Sequence, residues 1–162
     1  MTDLTIRLMK PDDRTAVIAV LLNSDPWTRL GYGQTDWDRY FTPLPAGRDT
    51  YVAEKNGTIA GIAVLRQHFL LGDYLELFAV EQTTRGKGLG ERLLTHIESL
   101  VFAREKNLFV CVSDFNESAR RFYKKHGYQE IGQLPNLLIQ GCAEVLLRKT
   151  TGPGRSGGGK SS

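Results

Sequence analysis

Between Tyr74 and Ser113 the chain runs from an apolar stretch, YLELFAV, through a glycine-rich turn, RGKGLG (Arg85–Gly90), into a periodic stretch of helix length and out through a second apolar run, NLFVCVS. Leu89, Leu93, Ile97 and Leu100 or Val101 recur at helical spacing and predict a helix from Leu89 to about Lys106. The continuous apolar centre of NLFVCVS predicts a strand buried on both faces. A strand, a turn, a helix and a buried strand in that order call for a sheet covered by helices. The turn adds chemistry to the architecture. Its three glycines and two cations leave the amide groups of the helix's first turn uncovered, which makes an anion site from backbone and suggests a phosphate ligand.

The remaining segments extend this frame. LTIRLM reads as a first strand, and DDRTAVIAVLLN as a helix with Asp12 or Asp13 near its cap. A turn-rich segment, SDPWTRLGYGQ, precedes a short helix around Thr35–Phe41. Two β-rich runs flank Asn56-Gly57, the strongest hairpin signal in the chain. After the glycine turn, NESARRFYKKHG reads as a second helix, with Ala119, Phe122, Tyr123 and His126 on one face and Gly127 placed to end it. YQEIG and AEVLLRK complete the pattern as strands. The order is β, α, α, β, β, β, α, β, α, β, β, an α/β chain with one mixed sheet covered by helices on both faces. Of 162 residues, 1–150 are expected to form one domain and 151–162 a disordered Gly/Ser-rich tail.

Composition removes several function classes. Arg155 and Lys160 in the tail supply two of the three net positive charges, so nothing asks for nucleic acid. No apolar run is long enough to span a bilayer, and the first residues carry no secretory apolar region, so no membrane partner is expected and the cytoplasm is the expected location. Cys111 and Cys142 are expected as small core residues. His68, His96 and His126 are scattered, and no metal site is argued. Gly154–Ser161 (GRSGGGKS) matches a P-loop letter for letter, but that motif needs a strand before it and a helix after it.

A dinucleotide-binding turn is excluded at residue level, because from Gly86 the third glycine of G-x-G-x-x-G would fall on Glu91. The segment instead matches R-x-x-G-x-G as Arg85, Gly88 and Gly90, after a strand ending in Val80. In this it resembles motif A of the GNAT superfamily of acetyl-CoA-dependent N-acetyltransferases. NESARRFYKKHGY is similar to a second block of that family, with Asn116, Ala119, Tyr123, Gly127 and Tyr128 in register.

The resemblance implies a GNAT-like fold, a twisted mixed sheet of about seven strands, and an acetyltransferase using acetyl-CoA as cosubstrate. Its pyrophosphate would meet Arg85, Gly86, Lys87, Gly88, Leu89 and Gly90, and its pantetheine arm would pair with the backbone of Phe78, Ala79 and Val80 and be held by Asn116. Tyr123 would donate the proton to the leaving thiolate, or else simply pack its ring in the apolar stripe. Glu76 is the candidate base. By strand alternation it shares a face with Tyr74, Phe78 and Val80, where an unpaired carboxylate is costly, with a salt bridge as the alternative; Glu81 is weaker. Trp27, after Asp25-Pro26, is the candidate substrate-binding residue, whereas Trp37, Tyr40 and Phe41 fit a buried helix stripe. The expected reaction is direct attack by a small-molecule primary amine in a ternary complex. A ribosomal-protein or peptide N-terminal acetyltransferase is the alternative within the class, and a non-catalytic acyl-CoA-binding module the alternative outside it. A homodimer is also allowed, since the final two strands of this fold often pair between subunits.

Overall fold

The structure, a computed structural model, describes residues 3–84 and 86–153. The elements in chain order are β1 (Leu4–Leu8), α1 (Arg14–Leu22), α2 (Gln34–Phe41), β2 (Arg48–Lys55), β3 (Thr58–Phe69), β4 (Gly72–Val80), α3 (Leu89–Phe102), β5 (Asn107–Ser113), α4 (Glu117–Lys125), β6 (Gln129–Pro135) and β7 (Ala143–Thr150). Among the described residues, seven strands form one sheet in the order β1-β2-β3-β4-β5-β7-β6. Only β4 and β5 run parallel, because α3 carries the chain back across the sheet between them. The mixed α/β sheet expected from the sequence is present. Among the described residues, no helix is long and apolar enough to cross a membrane.

Two cores flank the sheet. On one face α3 buries Leu93, Leu94, Ile97 and Val101 completely, together with Leu108 and Leu147 of the strands; each such side chain contributes about 1.5–3 kcal/mol. On the other face α1 and α2 bury Val17, Leu21, Trp37 and Phe41 against Val52, Ile62 and Leu77. Four features differ from the sequence reading. The α3 helix ends at Phe102 rather than near Lys106. Leu70-Leu71 makes a tight turn between β3 and β4 with both residues at positive φ, although leucine offers none of the usual turn chemistry. Cys111 and Cys142 are only partly buried, not core residues, and Cys142 lies just before β7. Finally, β6 forms the sheet edge with every residue exposed, Ile131 and Leu134 included.

The short parallel contact between β4 and β5 depends on a close approach. A Cβ added at Gly72 would lie 2.2 Å from the backbone oxygen of Asn107, so neither side can yield without moving a strand. Gly72→Ala is therefore expected to destabilise the fold by at least about 2 kcal/mol. Urea unfolding measures this; an unchanged midpoint would mean that the two strands are not so tightly apposed.

Candidate active site

The site arises where the sheet comes apart. Parallel pairing joins Gly72–Leu75 to Asn107–Val110 and stops there, although β4 continues to Val80 and β5 to Ser113. The cause is visible on the other side of β4. Leu65 pairs with Leu75 and Val64 with Leu77, so Glu76 is an extra residue in the ladder, a bulge that bends β4 away from β5. Beyond it, the β5-facing backbone groups of β4 have no strand to pair with. A cavity of about 520 Å³ occupies the resulting wedge.

The bulge also corrects the strand-face assignment. Leu75, Phe78 and Val80 pack toward α3, whereas Leu77 and Ala79 pack toward α1 and α2. Glu76 thus shares a side with Tyr74 but not with Phe78 and Val80. There its carboxylate accepts hydrogen bonds from Tyr40 Oη, Arg48 Nε and Arg66 Nη2, each at 2.6 Å. Burial pushes the carboxyl upward, but Arg48, Tyr40 and Arg66 together hold it below its ordinary range. A carboxylate gripped by two guanidinium groups is a weak base.

One end of the cavity is formed by the glycine turn. Gly86 and Gly88 have φ of +78° and +80°, which side chains rarely adopt, and Gly88 caps α3 without any side-chain hydrogen bond. Among the described residues the amides of Leu89, Gly90 and Glu91 have no partner outside the helix, which leaves them to face an anion. Gly86, Gly88, Gly90 and Glu91 line the cavity. Leu89 instead turns its side chain into the core, where it is 4% exposed, and Lys87 is exposed and does not line the cavity. Arg85 lies outside the described residues.

Phe78, Ala79 and Val80 line the cavity from β4, and Asn116, Phe122 and Tyr123 from α4. Asn116 caps α4: its Oδ1 accepts the Ala119 amide at 3.2 Å, and its amide nitrogen is left as a donor. Tyr123 is 4% exposed, set edge-on to Phe78, Phe122 and Tyr128. Burial alone raises its phenol well above the usual range, which keeps it protonated. Its hydroxyl makes no hydrogen bond among the described residues, and the residue lines the cavity. Trp27 lines the cavity with Asp25 and packs edge-on against Tyr32 and Trp37. Trp37 and Phe41 are core residues, whereas Tyr40 reaches Glu76. Glu81 folds back on Thr83 and does not line the cavity.

Comparison with known proteins decides the family: the sequence pattern of the Acetyltransferase (GNAT) family matches residues 11–128. The chain belongs to the GNAT family. Among its relatives, the "5-NmdU N-acetyltransferase" of Pseudomonas phage PaMx11 is 33% identical over 84 residues, 51% of this chain and 59% of the phage protein. The chain thus spans less than two thirds of the length of that relative. In solved structures, the ribosomal-protein-S18-alanine N-acetyltransferase from Escherichia coli has the same fold at 18% identity, with a TM-score of 0.77 and 99% of each chain covered. An aminoglycoside 6'-N-acetyltransferase complexed with coenzyme A matches at 20% identity, with a TM-score of 0.73 over 92% of this chain and 98% of that one. Acetyl-CoA is the acetyl donor of the GNAT family.

Sequence reading did not single out Arg48, Arg66 or Glu144 in the candidate site, and it gave Tyr40 to a buried helix stripe and Cys111 to the core. Tyr40, Arg48 and Arg66 come from three elements to hold Glu76, and Cys111 and Glu144 line the cavity from β5 and β7. The only sequence signal for Glu144 is a lone carboxylate in an otherwise apolar strand segment, AEVLL.

Proposed function

We propose that this chain transfers an acetyl group from acetyl-CoA to a primary amine by direct attack in a ternary complex, with residues 1–150 acting as one domain. The observation that carries the reading is one cavity with the first turn of α3 at one side and, at another, the buried Tyr123, whose hydroxyl makes no hydrogen bond among the described residues. The backbone amides of Gly88–Gly90 suit a pyrophosphate, and the unpaired edge of Phe78–Val80 with the Asn116 amide suits the amides of a pantetheine arm. Acetyl-CoA supplies an activated acyl group. The protein's part is to aim it, to donate backbone N–H groups near Phe78 or Ala79 to the developing oxyanion, and to give the leaving thiolate the proton of Tyr123. Trp27 and Asp25 offer an aromatic face and a carboxylate to an acceptor bearing an ammonium group, which favours a small amine.

Calorimetric titration with acetyl-CoA, with ATP and NAD as controls, tests the ligand. Saturable binding of acetyl-CoA alone is expected, followed by thiol release with at least one of spermidine, lysine and a peptide beginning with alanine. Absence of binding would overturn the reading. Binding without turnover of any amine would favour a non-catalytic acyl-CoA module, and turnover of the peptide alone would move the acceptor to a protein N-terminus.

A further inference from the structure

Two carboxylates border the same cavity from opposite sides of the wedge, Glu76 on β4 and Glu144 on β7, and their surroundings are opposite. Glu76 is neutralised by two arginines. We propose that Glu144 is the general base that takes the proton from the acceptor's ammonium group, an assignment that rests on the acetyl-transfer reading above.

Glu144 is 5% exposed and pairs in register with Ser113 at the last step of the β5–β7 ladder, beside the opening of the wedge. Its one hydrogen bond is accepted from Ser113 Oγ at 2.7 Å, and it makes no ion pair among the described residues. Among the described residues, the groups around it are Ser113 and Cys111 of β5, Asp114 just beyond β5, Tyr74 of β4 and Tyr32 before α2, and none of these is a cation. On the β6 side its register partner is Leu134. Of the other ionisable groups that line the cavity, Asp25, Glu91, Lys125, His126 and Tyr123 make no hydrogen bond to it. The charge of Arg29 is directed onto the ring of Phe115, 4.1 Å away.

A buried carboxylate without a cation is costly unless something else supplies one. Here burial raises the Glu144 carboxyl above its ordinary range, with the Ser113 hydrogen bond opposing and the Asp114 charge adding. The two carboxylates are therefore pushed in opposite directions, which is how one site separates a fixed anion from a proton acceptor. An incoming ammonium group would supply the missing cation. Glu144 then takes one proton from nitrogen and releases it to solvent, and the neutral amine forms the C–N bond. As the C–S bond breaks, the thiolate gains the phenolic proton of Tyr123, and the second proton lost by nitrogen passes through water in the cavity to restore that phenol, so that the net reaction releases the single proton the ammonium brought.

The test compares wild type with Glu144→Gln and Glu144→Asp, using whichever of spermidine, lysine or the alanine peptide the wild type turns over fastest. Wild-type kcat should rise with pH along an acid limb, because the base must be deprotonated. Glu144→Gln should lower kcat by about 10²–10⁴-fold and remove that limb, with acetyl-CoA affinity within about twofold, and Glu144→Asp should keep the limb at reduced kcat. Because the amide removes an uncompensated buried charge, Glu144→Gln should melt no lower than wild type. A Gln variant within about tenfold of wild-type kcat, an unchanged acid limb, or a sharply lower melting temperature would each overturn the assignment. A wild type that turns over no amine would instead remove the acetyl-transfer reading, and this assignment with it.

Discussion

Tyr123→Phe should lower kcat by about 10²–10⁴-fold while leaving acetyl-CoA affinity and stability nearly unchanged. The phenylalanine ring keeps the packing against Phe78, Phe122 and Tyr128, whose centroids lie 5.2–6.2 Å from that of Tyr123. The hydroxyl it loses has no partner among the described residues, so no protein hydrogen bond is broken. What disappears is a phenol that burial keeps protonated at the edge of the cavity. Steady-state kinetics with calorimetry on the same variant separates the two accounts of this residue. A fall in kcat at constant Kd means that Tyr123 delivers a proton. Unchanged kcat would reduce Tyr123 to a packing residue and return the catalytic acid to solvent.

Arg104→Ala should cost about 3 kcal/mol of stability, a fall in Tm of about 6–12 °C for a domain of this size. Asp73, near the start of β4, is completely buried, and Arg104, two residues beyond α3, reaches both of its carboxylate oxygens, with Nη1 to Oδ1 at 3.1 Å and Nη2 to Oδ2. Removing the guanidinium leaves a buried anion without a cation, the configuration that makes such deletions severe. The arginine side chain is 38% exposed, so water can enter after truncation, which limits the loss to the lower end of the range for buried pairs. Adding Asp73→Asn to Arg104→Ala should restore a large part of the stability, because the stranded charge is gone. A single variant melting within about 2 °C of wild type would show that the pair behaves like a surface contact. The pair sits where β4 and β5 are still joined, so it also secures the root of the wedge.

Much of the fold was legible because its signals are local. Helical recurrence of Leu89, Leu93 and Ile97, the Asn56-Gly57 turn and the apolar run of β5 each act within a few residues, and each lies in the element it predicts. The turn at Leu70-Leu71 was not legible, since pairing of β3 with β4 imposes positive φ on residues that do not seek it. In the candidate site, helical spacing was enough to put Ala119, Phe122, Tyr123 and His126 on one face of the segment, and all four line the cavity.

The carboxylates show where local reading stops. Simple alternation put Glu76 with Phe78 and Val80, but one extra residue in the ladder against β3 reverses the parity and sends it to Tyr40, Arg48 and Arg66. Glu144 was passed over because nothing near it in sequence tells which way it faces. Sequence alone determined the order of elements, the glycine turn before α3 and the spacing on α4, because periodicity and turn chemistry operate over a few residues. Tertiary structure alone decided which carboxylate is neutralised and which, among the described residues, has no cation beside it, because a buried charge takes its character from register across strands, and its partners lie 10 to 36 residues away.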